Sequence, residues 1–385
     1  MEEPYEGREQ SEAKHLILKS YLEKLAYKVG FSGAGTLNYV DGFAGPWESK
    51  TDDLSDTSPS LAVQKLLEVR AELAKHGKSV DVRAFFVSPK REGAEQLRAL
   101  QERFSAATIE VVEQTFEKSI DAARVFAAAG HKPFTFIFID HTGWTGFGLR
   151  EITPLLRVGR NEVLINFMTG HITRFIDSGD SRYEGSFNEL FGSALPRDEW
   201  RGLTGIDRDD RIVDAYCRQI AQAGSYKHCV SSVILNPLHN RSHFHLVYGT
   251  HSDEGLVTFR DVERDALKFQ RNERAGAQQR IRIERTKQTE MFGGPGTRTY
   301  EDELRERYFA RARTALDALT TATSEVSWDD LVVTALRIPM IAEADVKAWL
   351  KELQARGAIQ VLGLAEKEKV PKRGRGHRVR RLLRP

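Results

Sequence analysis

Five short apolar runs mark the first half of the chain: Leu37 to Val40, Val82 to Val87, Ile109 to Val112, Phe134 to Ile139 and Val163 to Met168. Between and before them lie stretches with apolar residues at helical spacing: Ala13 to Val29, Ser60 to His76, Glu92 to Phe104 and Ser119 to Ala129. Strands that alternate with helices must cross over between neighbours, which predicts a parallel sheet covered on both faces. Ligands of such a sheet sit at the carboxyl ends of its strands. A helical stretch of mixed polarity, Ile172 to Ala223, follows the fifth run. Two more runs, Cys229 to Leu235 and Phe244 to Thr250, are joined only by Asn236-Pro237-Leu238-His239-Asn240. That joint is turn-rich and too short for a crossover helix, so the two runs are expected to pair as an antiparallel hairpin.

The rest of the chain has a different pattern. Asp261 to Lys287 is charge-dense with few apolar positions and reads as a solvated helix and linker, ending at the breaker Phe292-Gly293-Gly294-Pro295-Gly296. Beyond it come an amphipathic helix around Leu304 to Leu319 and a short helix Leu331 to Leu336 with Ser327 as N-cap. A further helix, Glu343 to Arg356, stops at Gly357, and strand-like Ala358 to Leu362 and Arg378 to Leu383 finish the chain. Helices followed by a β-hairpin give a winged-helix pattern, with Asp345 to Gln354 as its recognition helix. The expected domains are 1–265, a charged linker 266–299 and a winged-helix unit 300–385.

Charge matters here by its distribution. The 385 residues carry 57 basic and 55 acidic side chains, a net +2. The wing and tail hold Lys367, Lys369, Lys372, Arg373, Arg375, Arg378, Arg380, Arg381 and Arg384 against one acid, Glu368, which is a footprint for phosphate contacts and predicts nucleic-acid binding. Cys217 and Cys229 are too few for a disulfide framework and read as buried thiols. The acidic N-terminal stretch lacks the pattern of a signal peptide, and no apolar run reaches the ~20 residues of a membrane span. A soluble, cytoplasmic protein without membrane contact is expected.

The first strand ends at Asp41 and enters Gly42-Phe43-Ala44-Gly45. Glycines here let the backbone approach a bound cofactor unobstructed. Asp140 ends the fourth strand, where a substrate-handling group belongs; its other reading is a helix cap or loop anchor. Beside it, His141 suits a general base near neutral pH, and Trp144 suits either a stacking platform or loop packing.

The octet Tyr39-Val40-Asp41-Gly42-Phe43-Ala44-Gly45-Pro46, then Thr57 to Ala62 (TSPSLA), Phe138 to Gly146 (FIDHTGWTG), Leu164 to Met168 (LINFM) and Arg174 carry a resemblance in order along the chain. Together they resemble the three-Cys-motif partner protein family (TcmP), itself distantly similar to ribosomal-RNA adenine-N6 methyltransferases. What the resemblance implies is an α/β, Rossmann-like class I methyltransferase-type sheet with a terminal antiparallel hairpin. It also implies a three-Cys-motif partner related to radical S-adenosylmethionine enzymes. S-adenosylmethionine is the implied cofactor, with Asp41, Gly42, Phe43, Ala44, Gly45, Ser58, Ser88, Gln114 and Phe116 as its contacts and Asp140, His141 and Trp144 as catalytic positions.

Three departures bear on that reading. Asp140-His141-Thr142-Gly143 stands where adenine-N6 enzymes carry two prolines, and where the TcmP pattern has proline in place of His141. The second strand is followed by Ser88-Pro89-Lys90, without the carboxylate that holds both ribose hydroxyls. After the third strand, Glu113-Gln114-Thr115-Phe116 lacks an Asp for the adenine amino group, although Gln114 can replace it and Phe116 can flank the ring. His239, His243, His245 and His251 have no cysteine or acidic cluster beside them, so no metal is expected. Two functions fit: a methyltransferase-like enzyme acting on nucleic acid, or a non-catalytic nucleic-acid-binding adaptor.

Overall fold

The computed structural model describes residues 9–45, 54–141, 143–286 and 298–382. Pro46, Thr142, Lys287, the Phe292 to Gly296 breaker, Leu383 and Arg384 lie outside the described residues. The chain divides into two units, one running to Ser252 and adding Asn272–Gln278, the other made of Asp253–Arg271 and the residues from Gln279 onward.

In the first unit helices and strands alternate as α1 (Glu9–Phe31), β1 (Thr36–Asp41), α2 (Ser58–Lys75), β2 (Asp81–Val87), α3 (Arg91–Arg103), β3 (Thr108–Val112), α4 (Phe116–Ala128), β4 (Pro133–Ile139), α5 (Leu149–Leu156) and β5 (Arg160–Phe167). Helices α6 (Thr169–Phe175), α7 (Ser181–Phe191) and α8 (Gly205–Gly224) then lead to the hairpin β6 (His228–Leu235) and β7 (Ser242–Thr250). Seven strands form one sheet in the order β3-β2-β1-β4-β5-β7-β6. The first five are parallel, β7 is antiparallel to β5, and β6 pairs with β7 across a bulge at Ile234/Leu235. This is a mixed α/β, Rossmann-like sheet closed by an antiparallel hairpin. Pro133 is tolerated because it opens its strand. Helix α5 was not legible in the sequence: it is eight residues long with Pro154 inside it, too short for helical periodicity to register.

Strand alternation sends successive residues to opposite faces. Val40, Ile137, Ile139, Ile165 and Val247 share a core with Phe126 of α4, Leu155 of α5 and Ile220 of α8. Asp41 follows Val40 and therefore faces the other way, where Ser58 of α2 meets it. On that second face Tyr21 of α1 packs against Phe136 and Tyr248 and donates to the buried Glu162 at 2.7 Å.

The second unit contains α9 (Asp253–Thr286) apart from its Asn272–Gln278 stretch, α10 (Tyr300–Ala322), β8 (Glu325–Ser327), α11 (Trp328–Leu336), α12 (Glu343–Ala355), β9 (Ile359–Leu362) and β10 (Arg378–Arg381). Strands β8, β10 and β9, in that order, form an antiparallel sheet. Ser327 caps α11, accepting from the Asp330 N–H at 3.0 Å. The expectation of a solvated charged helix near 261–287 is corrected. Helix α9 begins earlier and buries Leu256, Phe259, Val262 and Ala266. Its Arg260 and Glu263 form a fully buried pair at 2.7 Å, and Arg260 also donates to the Leu336 carbonyl at 2.7 Å. Buried charges that satisfy one another look identical, in sequence, to exposed ones.

Candidate functional site

A cavity of ≈230 Å³ opens at the carboxyl ends of β1 and β4, the pair at which the strand order reverses. Such switch points hold ligands because the flanking crossovers diverge to opposite faces of the sheet. The loop after β1 contributes Gly42, Phe43 and Gly45; the start of α4 contributes Phe116 and Glu117; the loop after β4 contributes Asp140, His141 and Gly146. Gly42 lets Phe116 pack close: a Cβ there would lie 2.8 Å from its ring, which would have to shift. Phe43 meets the Phe116 and His141 rings edge-on, with centroids 5.3 and 4.6 Å away.

Two carboxylates, Asp140 in the lining and Asp41 behind it, stand in different surroundings. Asp41 is fully buried and accepts from the Phe43 N–H at 3.0 Å, the Ser58 hydroxyl at 3.1 Å and the Tyr39 hydroxyl at 3.2 Å. Burial and the nearby charge of Asp140 push it up to about 7, and those three donors only partly offset them. Asp140 accepts from the Lys14 ammonium of α1, and from the Asn166 amide of β5 at 2.8 Å. Burial would raise its pKa, but Lys14 and Asn166 outweigh that and hold it below the usual carboxylate value. Desolvation outweighs the pull of Asp140 on His141 and lowers its pKa, which favours the neutral ring. The His141 Nδ1 is buried and makes no hydrogen bond among the described residues.

The residues expected to bind cofactor separate into two groups. Gly42, Phe43, Gly45 and Phe116 line the cavity. The others stand behind it or apart from it. Asp41 and Ser58 bond to each other, the Ala44 N–H donates to the Val87 carbonyl, and the Ser88 hydroxyl turns to the Lys90 carbonyl at 3.3 Å. Gln114 is exposed and not among the lining residues. Of the positions expected to be catalytic, Asp140 and His141 line the cavity, while Trp144 stacks on Phe187 and donates to the Ser186 hydroxyl at 3.0 Å. Trp144 therefore packs its loop onto α7.

Sequence reasoning missed Glu117 and Lys14. Glu117 follows directly after the recognised Phe116, but its position in the lining depends on where α4 starts. Lys14 comes from a helix more than a hundred residues from Asp140, and nothing local signals it. Asn166 left a trace, as the one polar residue in the apolar run Val163 to Met168.

The histidines do not converge. His245 is buried, shares a hydrogen bond with the Thr169 hydroxyl at 2.6 Å and is pushed down to about 3 by burial. Among the described residues no group of three His, Cys, Asp or Glu could hold a metal ion, and no helix is long and apolar enough to cross a membrane. Cys217 is buried and Cys229 only partly so, and neither forms a disulfide.

In the second unit, five of the eight described wing cations already have carboxylates. Arg378 and Arg380 pair with Glu325, Arg373 with Glu254 and Glu343, Lys372 with Glu368, and Arg381 with Asp317. Lys367, Lys369 and Arg375 are exposed.

No family model matches the chain and no curated protein matches it. The resemblance of its motifs to the TcmP family gains no support from those comparisons. Among solved structures, it is similar to an O-methyltransferase family protein from Burkholderia thailandensis, at 12% identity and a TM-score of 0.28, covering 64% of this chain and 60% of that one. It is also similar to a loganic acid methyltransferase solved with SAH, at 10% identity and a TM-score of 0.33, covering 72% of this chain and 90% of that one. The chain spans about three-fifths of the Burkholderia protein's length. At such identities and scores the likeness carries no weight for function, and the architecture rests on the strand order itself.

Proposed function

We propose that the first unit is a methyltransferase-type domain whose cavity at β1 and β4 takes S-adenosylmethionine. One observation carries this reading: the cavity lies at the switch point of a sheet ordered β3-β2-β1-β4-β5-β7-β6 with β7 reversed, the strand order of the class I methyltransferase sheet.

The residues present fit the cofactor. Gly42 and Gly45 keep the backbone clear of side chains, and Phe43 and Phe116 offer ring surfaces for an adenine. Glu117 supplies, from the start of α4, a carboxylate in place of the one missing after β2; one carboxylate can accept from two adjacent ribose hydroxyls. When bound, the cofactor supplies an electrophilic methyl group. The chain's part is positioning and proton handling. Asp140, held ionised by Lys14 and Asn166, orients a substrate hydroxyl or amino group by accepting its hydrogen bond. His141, whose ring desolvation keeps neutral, takes up the released proton at its unprotonated ring nitrogen.

Calorimetric titration of the full chain with S-adenosylmethionine tests the reading. Saturable binding is expected, weakened at least about tenfold by Glu117→Ala, since one polar contact to a buried ligand is worth about 1.4 kcal/mol or more. No binding at millimolar cofactor would overturn it.

A second reading, a nucleic-acid-binding adaptor partnered with a three-Cys-motif protein, draws on the second unit. Its helices followed by the strands β9 and β10 support the winged-helix reading, as do Lys367, Lys369 and Arg375, exposed on the segment between β9 and β10. Helix α12 favours it less, because Glu343, Asp345 and Glu352 on that helix already engage Lys347, Arg305 and Arg313.

A further inference from the structure

A second cavity, ≈470 Å³ in volume, lies in the helical segment between β5 and β6. Four arginines line it, Arg174 from α6, Arg197 and Arg201 from the segment before α8, and Arg208 from α8. The single carboxylate in its lining is Asp177. Strand β6 runs parallel to β5 because both are antiparallel to β7, so the start of α8 stands on the carboxyl-end side of the sheet. The first cavity opens on that same side.

The arginines differ in what already holds them. Asp177 accepts from Arg208 and, at 3.2 Å, from the indole of Trp200, and has Arg197 3.9 Å away. Arg197 also pairs with Glu184 at 2.8 Å and donates to the Ile176 carbonyl at 3.2 Å. These contacts fix two guanidiniums in the wall and use up the lining carboxylate. Among the described residues Arg201 pairs only with Asp198, both about four-fifths exposed (78% and 84%), a contact that solvent screens heavily. Arg174 is exposed and, among the described residues, has no hydrogen bond or ion pair; its guanidinium lies 6.0 Å from the neighbouring Phe175 ring. Two fixed and two available guanidiniums thus converge on one concave space, and the Thr173 and Ser178 side chains share its lining.

We propose that this cavity binds a phosphate group, with Arg174 and Arg201 closing on it from the exposed side. Guanidinium forks match phosphate oxygens in pairs, and a phosphate has enough acceptor oxygens for several forks at once, which a carboxylate lacks. Concave placement strengthens the field of the arginines relative to the open surface. The phosphate can belong to a small monoester or to a polynucleotide backbone, and the recognition chemistry is the same for both. The site does not depend on cofactor binding in the first cavity.

The test uses the full chain and three probes: inorganic phosphate, ribose 5-phosphate, and a short single-stranded oligonucleotide without a terminal phosphate. Arg174→Ala and Arg201→Ala both remove exposed side chains, and unchanged circular dichroism and melting temperature would confirm the fold. Binding of at least one probe is expected to weaken about tenfold or more in Arg174→Ala, and further in the double variant. Loss for inorganic phosphate and ribose 5-phosphate identifies a small phosphorylated ligand; loss for the oligonucleotide alone identifies a polynucleotide. Failure of all three probes to bind, or binding that both variants leave unchanged, would overturn the proposal.

Discussion

Asp41 and Asp140 end neighbouring strands, yet their surroundings drive their protonation in opposite directions. Asp41 has only neutral donors around it, so burial dominates and raises it to about 7. Asp140 has an ammonium, Lys14, and stays ionised. For Asp41 the folded protein retains a proton that the unfolded chain releases near its ordinary value, so stability is lost as pH rises from about 4 to about 7. Asp41→Asn should therefore gain about 3 kcal/mol on the wild type between about pH 5 and about pH 8, read from urea midpoints at each pH. A constant difference between the two proteins would mean that Asp41 is already ionised at the lower pH. Asp140 has the opposite sign: its stabilisation is present above the ordinary carboxylate value and lost as pH falls through its lowered pKa, outside this window. The His245 contribution is common to both proteins and cancels in the comparison.

Among the elements, the turn after β1 shows how closely site and core are joined. Phe116 opens α4, is almost fully buried, and presses on the Gly42 backbone. Gly42→Ala forces that ring aside, and overpacking of this kind costs about 1–3 kcal/mol. A drop of that size in unfolding free energy is expected, together with weakened S-adenosylmethionine binding. A variant that retained wild-type stability would show that the loop yields freely. The parallel strands and their helices were legible because the strands are short, nearly continuous apolar runs, whereas the helices space their apolar residues at about 3.6. Helix α9 was misjudged because Arg260 and Glu263 lie on the same buried face as Leu256 and Phe259, while their charge points to solvent.

Over the whole molecule, charge is nearly balanced at +2, and internal pairing engages most of the basic wing. If the chain binds duplex DNA through Lys367, Lys369 and Arg375 alone, the slope of log K against log salt concentration should be about −3, since each phosphate contact contributes about −0.9. Fluorescence anisotropy over a salt series measures it. A slope of about −6 or steeper would mean that the pairs with Glu325, Glu343 and Glu368 open to release their arginines and lysine.

Patterns of apolar spacing along the chain were enough for the alternating sheet, the closing hairpin and the glycine turn at Asp41, because each depends on neighbours within a few residues. Asp140 and His141 were recognisable from their place at a strand end. Tertiary structure alone decided that Lys14 keeps Asp140 charged, that Asp41 faces inward to Ser58, that Glu117 lines the first cavity, and that four arginines and Asp177 line the second. Each of those facts brings together groups from separate elements, and charge and burial at such meetings depend on three-dimensional distance, which sequence spacing does not encode.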